Sequence, residues 1–148
     1  MKLTKFYLIA FFLIILNFKN LYAIENKILF KIDNEIITTF DIFQEAKYLK
    51  VFNPQLKDLS DKELLEISKN SIIRDKIKKI ENLKFVEVIK VENKFLLQLI
   101  KNKYNAIDLD SIESFENYLK INGLNINTIK EKLTIELIWN DLIFQKFN

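Results

Sequence analysis

The chain has 148 residues, which is the length of one domain, and 49% of them are hydrophobic. A chain of this size can bury roughly two thirds of the surface that its unfolded form exposes, so one unit with a single core is expected. The formal net charge of +3 comes entirely from Lys2, Lys5 and Lys19, since residues 24–148 hold 20 basic and 20 acidic side chains. Nucleic-acid binding requires clustered positive charge, and the evenly mixed charges of this chain argue against that class of partner.

The chain contains neither histidine nor cysteine, and it has one glycine. These absences exclude Ser-His-Asp and Cys-His nucleophiles, the usual zinc sites, disulfides and haem attachment. One glycine cannot form the loops that cradle phosphates in nucleotide-binding proteins. Two carboxylate pairs, Asp108 with Asp110 and Glu113 with Glu116, are interpreted as solvated residues at a helix start. We therefore predict no catalytic residues, no metal site, no bound cofactor and no enzymatic activity.

Residues 1–23 have the pattern of a secretory signal peptide. Lys2 and Lys5 form a basic start, an apolar run extends from Phe6 to Leu16, and the small residue Ala23 precedes a change in composition. The apolar run is shorter than the roughly 20 residues that span a bilayer, so cleavage is favoured over the alternative, a retained membrane anchor. We predict a signal peptide at 1–23, export to the bacterial periplasm, and a domain at 24–148 with no stable membrane span.

The domain begins with a predicted β-hairpin. Apolar residues alternate from Ile28 to Ile32, Asp33 and Asn34 tolerate positive φ, and the extended pattern then resumes. Thr38 stands three residues before Asp41, which is a capping signal for a first helix that Asn53 and Pro54 end.

Four more helices are predicted after the first. The second begins with the capping box Ser60 to Glu63, runs to about Asn82 and presents one broad apolar face. The stretch from Leu83 to Val91 is compatible with a strand or with a continued helix. The next two helices cover ENKFLLQLIKNKYN and DSIESFENYLKI, the latter with Asp110 and Glu113 as its capping pair, and Gly123 ends it in the left-handed conformation. The apolar face of the second helix is predicted to contain Leu65, Ile72, Ile73, Ile77 and Ile80.

The last helix, from about Asn127 to Phe147, carries apolar side chains on two opposite sides. Two apolar stripes require two layers of cover, and a large apolar surface that stays uncovered marks an interaction site. The first stripe contains Ile126, Ile129, Leu133, Leu137, Phe144 and Phe147, and the second contains Ile135, Ile138, Trp139 and Leu142.

Three stretches together resemble the N-terminal domain of the SurA family of periplasmic chaperones and peptidyl-prolyl isomerases. They are NKILFKIDNEIITTFDI, SIIRDKIKKIEN and INGLNINTIKEKLTIELIWNDLIFQKF, in that order and spacing. The resemblance covers residues 24–148 and implies a mainly α fold in which an N-terminal β-hairpin precedes about five helices. It also implies an ATP-independent chaperone that offers apolar surface to unfolded outer-membrane proteins.

The chain departs from the SurA pattern because it ends where the first parvulin isomerase domain would begin, and it lacks the histidines of a parvulin site. Isomerase activity is therefore not expected. One stripe of the last helix is expected to pack on the domain's own helices and the other to bind a client or partner through Ile135, Ile138, Trp139 and Leu142. Three alternatives remain open. The second stripe is a homodimer interface, or it is a binding site for a separate chain such as a parvulin isomerase, or the chain is a remnant of a truncated SurA-type isomerase.

Overall fold

A computed structural model describes residues 25–147, and it is mainly helical with an N-terminal two-stranded hairpin and five helices, as predicted. The predicted signal peptide lies outside the described residues. No helix within residues 25–147 has the length and apolar character that crossing a membrane requires. The elements are β1 (Ile28–Ile32), β2 (Glu35–Thr38), α1 (Thr39–Phe52), a short 3-10 helix (Pro54–Asp58), α2 (Asp61–Asn82), α3 (Asn93–Asn105), α4 (Ile112–Ile121) and α5 (Ile126–Phe147).

The hairpin and the first two helix starts have the local structure that the sequence predicts. β1 and β2 pair antiparallel, and Asp33 in the turn has a φ of 51°. At the start of α1, Thr38 and Asp41 form a capping box, and Ser60 and Glu63 do the same for α2. In each box the acidic side chain accepts from the backbone of the capping residue, while the hydroxyl accepts from the third helical amide.

The start of α4 differs from the prediction. Ser111, not Asp110, is the N-cap, and its hydroxyl accepts from the backbone N–H of Ser114 at 3.2 Å. Serine and aspartate are about equally good caps, so the choice between adjacent residues was open to error. At the other end of α4 the prediction is confirmed, since Gly123 has a φ of 68°.

The buried face of α2 also differs from the predicted one. Leu64 and Ser68 are buried, whereas Ile77 is 43% exposed. Ser68 fits this position because its hydroxyl donates to the carbonyl of Leu64 at 2.7 Å, so the buried hydroxyl is satisfied within the helix. The periodicity identified an amphipathic helix but placed part of its apolar face wrongly.

The stretch after α2, which the sequence left undecided, is neither strand nor helix. Residues 83–85 form a turn, and residues 86–92 have no regular structure. This segment joins α2 to α3.

The core lies where the C-terminal end of α1, the helices α3 and α4, and the N-terminal half of α5 meet. Phe115 is fully buried at its centre, with the rings of Phe52 and Tyr104 at centroid distances of 6.2 and 6.1 Å. Tilted aromatic pairs at such distances add stability beyond the area that they bury. The buried residues of this cluster are Val51, Ile100, Phe115, Leu119, Leu124, Ile129 and Leu133.

Candidate client-binding surface

The four residues predicted to bind a client lie in different environments. Ile135 is buried, with 6% of its surface exposed, while Ile138, Trp139 and Leu142 are half-buried. The backbone carbonyl of Ile135 accepts a hydrogen bond from the buried side-chain amide of Asn82 at 2.9 Å, which ties α5 to the end of α2. Ile135 therefore presents little surface to a partner, and contact between a client and the other three residues stays a prediction.

The burial of apolar side chains on α5 changes along the length of the helix and does not separate its two stripes. Ile129 and Leu133 of the first stripe pack in the core cluster, and Ile135 of the second stripe is buried beside α2. Further along the same helix, Phe144 and Phe147 are exposed. The domain itself therefore covers both apolar stripes over the first half of α5, but it leaves the last turns of the helix exposed.

Phenylalanine is unusually exposed in this domain. Five of the nine phenylalanines within residues 25–147 have between 55% and 72% of their surface exposed. Phenylalanine is among the residue types most often buried, so five exposed side chains among nine is a high share for this residue type. The exposed five are Phe40, Phe85, Phe95, Phe144 and Phe147, and the other four are Phe30, Phe43, Phe52 and Phe115.

All five exposed phenylalanines lie at or beside the ends of helices. Phe40 and Phe95 belong to the first turns of α1 and α3, Phe85 follows the end of α2, and Phe144 and Phe147 lie near the end of α5. A side chain at a helix end can be held in place by the helix without being covered by neighbouring elements. This distribution supplies several separate apolar contact points.

An open cleft of about 400 Å³ lies between α1, α2 and the start of α5. Phe40, Tyr48 and Leu124 contribute apolar surface, and Gln44 and Asn125 contribute polar groups. A mostly apolar concavity with a few polar groups is the usual form of a binding site for a side chain or small molecule. Its remaining lining residues are Asp41, Glu45, Ile72, Gly123, Thr128 and Lys132.

A charged group in the wall of the cleft joins three helices, and we call it the Lys132 cluster: Glu45 of α1, Ser71 and Asp75 of α2, and Lys132 of α5. The Lys132 ammonium group lies 2.7 Å from the Glu45 carboxylate and also contacts that of Asp75. Ser71 donates to Glu45 at 2.9 Å. Burial alone lowers the pKa of Lys132, but the two carboxylates outweigh this effect, so its pKa lies above its ordinary value. Lys132 is therefore charged at neutral pH.

The Lys132 ammonium group also lies over the ring of Tyr48, 4.6 Å from its centroid. A cation at this distance from an aromatic face is attracted by the electron density of the ring. Burial raises the pKa of the Tyr48 hydroxyl, so the ring stays neutral. The cleft wall therefore combines one aromatic face with fixed charges.

A second ionic network holds the hairpin against the helices. Glu35 of β2 lies 2.6 Å from Lys76 and 2.9 Å from Lys79, both in α2, and Lys79 also reaches Glu131 of α5 at 3.7 Å. Hydrogen bonds from Lys76 and Lys79 hold the pKa of Glu35 below its ordinary value. Together with the Lys132 cluster, these ion pairs hold the hairpin, α1, α2 and α5 together. We call this set of ion pairs the ionic frame.

Within residues 25–147, acidic side chains do not gather in threes as they would around a metal ion. The acidic residues of these ion pairs lie beside lysines instead. The arrangement therefore offers apolar contact points at helix ends and a cleft between them, held by an internal ionic network.

Sequence reasoning did not identify the exposed phenylalanines or the Lys132 cluster. Phe144 and Phe147 were assigned to a stripe with Leu133, since a helical wheel does not show where neighbouring helices stop. Glu45 follows Ile42 by three positions on α1, which is one signal of a carboxylate on a buried face. Lys132 is next to the buried Leu133 in the sequence, but the residues around it do not indicate that it pairs with Glu45.

Comparison with protein-family models, curated proteins and solved structures gives no match.

Proposed function

We propose that this protein is an ATP-independent, chaperone-like module that binds unfolded polypeptides through apolar surface. The observation that carries the proposal is the exposure of five of the nine phenylalanines within residues 25–147. Contiguous exposed apolar surface commonly marks an interaction site, and Phe144 and Phe147 lie three residues apart on one face of α5.

The energetics favour reversible binding at several points. Burying one phenylalanine side chain contributes roughly 1.5–3 kcal/mol, which alone is too weak for a stable complex. Several contacts along one unfolded chain together reach useful affinity, because each further contact is made within the same complex. A client that folds removes its own apolar segments from these contacts and is released without nucleotide hydrolysis.

The proposed client class is the unfolded outer-membrane proteins, and the proposed location is the periplasm. Both follow from the resemblance to the SurA family and from the signal-like pattern at 1–23. Transmembrane β-strands alternate apolar and polar residues, so an unfolded barrel protein offers many short apolar segments spaced along the chain. Contact points distributed over several helix ends suit such a client.

The test measures whether the protein, expressed from its full chain and purified, suppresses aggregation of a urea-unfolded outer-membrane β-barrel protein diluted into buffer. We expect light scattering to fall as the protein is added in near-stoichiometric amounts. Mass spectrometry of the same preparation shows whether the chain begins after Ala23, as the predicted signal peptide requires. Unchanged client aggregation at several-fold molar excess would contradict the proposal.

Matched variants separate apolar contact from a general surface effect. Phe144→Ser with Phe147→Ser removes two exposed rings, while Gln145→Ser with Lys146→Ser changes two exposed polar residues of the same turns. We expect the phenylalanine variant to suppress aggregation less well and the polar variant to act like the unchanged protein. Equal activity of the two variants would remove α5 from the proposed surface.

A further inference from the structure

The described part of the chain begins beside the open cleft. The backbone amide of Phe40 donates to the side-chain oxygen of Asn26 at 3.2 Å, and the amide of Thr39 donates to the carbonyl of Lys27 at 2.8 Å. These two bonds hold the entering chain against the first turn of α1. Phe40 is also one of the side chains that line the cleft. Residues 1–24 are therefore attached to the domain next to the cleft.

Apolar side chains around this entry point stay exposed. Phe40 has 55% of its surface exposed, and Ile28, which pairs with Thr38 in the hairpin, has 67% exposed. The cleft continues from Phe40 between the half-buried side chains of Tyr48 and Ile72. An apolar occupant gains free energy by removing such surface from water.

The acidic side chains of the cleft already have partners within the described residues. The Asp41 carboxylate accepts from Thr38 in the capping box of α1. The Glu45 carboxylate accepts from Ser71 and lies beside Lys132. A charged ligand would compete with these contacts and would lose its own hydration, whereas an uncharged apolar side chain leaves the contacts in place. The chemistry of the cleft therefore favours an apolar occupant.

The sequence holds one long apolar run, and this run lies in residues 1–24. It extends from Phe6 to Leu16, whereas hydrophobic residues never number more than three in succession within residues 25–148. Residues 17–24 join the run to the described fold, and a linker of this length extends at most roughly 28 Å. A short tether gives the run an effective concentration of about a millimolar at a site within its reach. At lower protein concentrations, the run therefore outcompetes an equivalent apolar segment of a second molecule.

From these observations we infer that part of the apolar run Phe6–Leu16 docks in the cleft beside Phe40 while residues 1–23 remain attached to the domain. The cleft has a volume of about 400 Å³, so it takes a few side chains of the run and not all of them. The occupant is a segment of the same chain, so the inference goes beyond the proposed function and does not depend on client binding. Removal of residues 1–23 at the predicted cut after Ala23 is expected to open the cleft.

Photocrosslinking tests the contact directly. The full chain is made by cell-free synthesis without membranes, which leaves residues 1–23 attached, and it carries Phe12→p-benzoylphenylalanine. We expect crosslinks to the lining residues of the cleft within one chain, at a yield that does not change with protein concentration. The matched control Phe18→p-benzoylphenylalanine places the same group outside the run and is expected to crosslink to the cleft less often. Equal crosslinking from the two positions overturns the inference.

Chymotrypsin tests the same docking without an added chemical group. Cleavage after an aromatic residue of the run requires the run to leave the cleft, so the rate of cleavage follows the undocked population. Phe40→Ser removes an apolar contact from the cleft. Phe95→Ser is the matched control, because Phe95 is 57% exposed, lies in the first turn of α3 and is not a lining residue of the cleft. We expect Phe40→Ser to raise the rate of cleavage within the run about fivefold and Phe95→Ser to change it less than about twofold.

The other possible results also decide the question. Crosslinks between chains, at a yield that rises with concentration, identify a second copy as the occupant and overturn the inference. Crosslinks confined to residues outside the cleft, or an absence of crosslinks from position 12, overturn it as well. Equal rates of cleavage in the unchanged protein and both serine variants have the same consequence. Neither assay contains a client, so failure of this inference leaves the proposed function standing, and failure of the aggregation assay leaves this inference standing.

Discussion

Replacing Lys132 by methionine tests how strongly the ionic frame holds the domain together. Methionine keeps much of the length of the lysine side chain and its contact with the Tyr48 ring, but it removes the charge. The carboxylates of Glu45 and Asp75 then remain near each other without their shared cation. The Glu45 side chain is 1% exposed, so its carboxylate has little contact with water to offset the lost partner.

The expected cost follows from distance and burial. Two unit charges 2.7 Å apart attract by roughly 6 kcal/mol at an effective dielectric constant of about 20. Desolvation of both ions offsets most of this attraction in the intact protein, but removing one partner leaves the other buried and uncompensated. We expect Lys132→Met to lower the free energy of unfolding by about 3–5 kcal/mol at pH 7. This is a large part of the stability of a typical domain.

The assay is urea unfolding followed by the fluorescence of Trp139, the only tryptophan, with circular dichroism as a second probe. Lys27→Met is the matched control, because Lys27 and Glu25 form a pair of almost the same length, 2.8 Å, with side chains 61% and 76% exposed. The control is expected to cost less than about 1 kcal/mol. The double variant Glu45→Gln with Lys132→Met is expected to be more stable than Lys132→Met alone. A cost for Lys132→Met no larger than that of the control would refute the reasoning.

Three further predictions concern single residues of the fold. Asn82→Ala removes the hydrogen bond to the Ile135 carbonyl and is expected to lower the free energy of unfolding in urea by about 1–3 kcal/mol. A negligible change would contradict the role assigned to this amide. Gly123→Ala places a Cβ on a backbone with φ 68° and is expected to lower the free energy of unfolding by about 1–2 kcal/mol. Gly123→Asn is expected to lower it by less, because asparagine tolerates the left-handed conformation better than alanine. Equal stability of all three proteins would exclude the left-handed conformation. The pKa of Glu35 is lowered below 4.5 by two lysine ammonium groups, so its ion pairs stabilise the fold above pH 4.5 and this stability is lost as the pH falls through the lowered pKa. The stability difference between the unchanged protein and Glu35→Gln should therefore be present at pH 7 and shrink below pH 4.5 in urea titrations, and a constant difference would contradict the assignment.

The parts of the fold that the sequence predicts are those fixed by nearby residues. The hairpin turn at Asp33, the capping boxes at Thr38 and Ser60, and the left-handed Gly123 depend on contacts within about four residues. Such contacts are readable from spacing alone. The mainly α fold with an N-terminal hairpin follows from them.

The surface was harder to predict because it depends on which helices meet. Two apolar stripes on α5 indicate two packing layers, but the wheel does not show that cover ends before Phe144. Ile135 was assigned to a binding surface but is buried, and its backbone carbonyl accepts a hydrogen bond from Asn82, 53 residues earlier. The pairing of Glu45 with Lys132 is a contact of the same long-range kind.

The segment after α2 shows a different limit. Its composition favours a strand, but a strand requires a partner, and the described residues supply none for residues 87–91. The sequence therefore left this segment open between a strand and a continued helix, and the structure forms neither.

The central claim, that the protein binds unfolded chains, is tested most directly by size-exclusion chromatography with light scattering. The purified protein is run alone and after a urea-unfolded outer-membrane β-barrel protein is diluted into it. The account predicts a soluble complex with the combined mass of the protein and its client, which shrinks in the variant carrying Phe144→Ser and Phe147→Ser. A stable dimer of the protein that leaves the client to aggregate would contradict the claim, and loss of that dimer in the same variant would identify the exposed phenylalanines of α5 as a subunit interface.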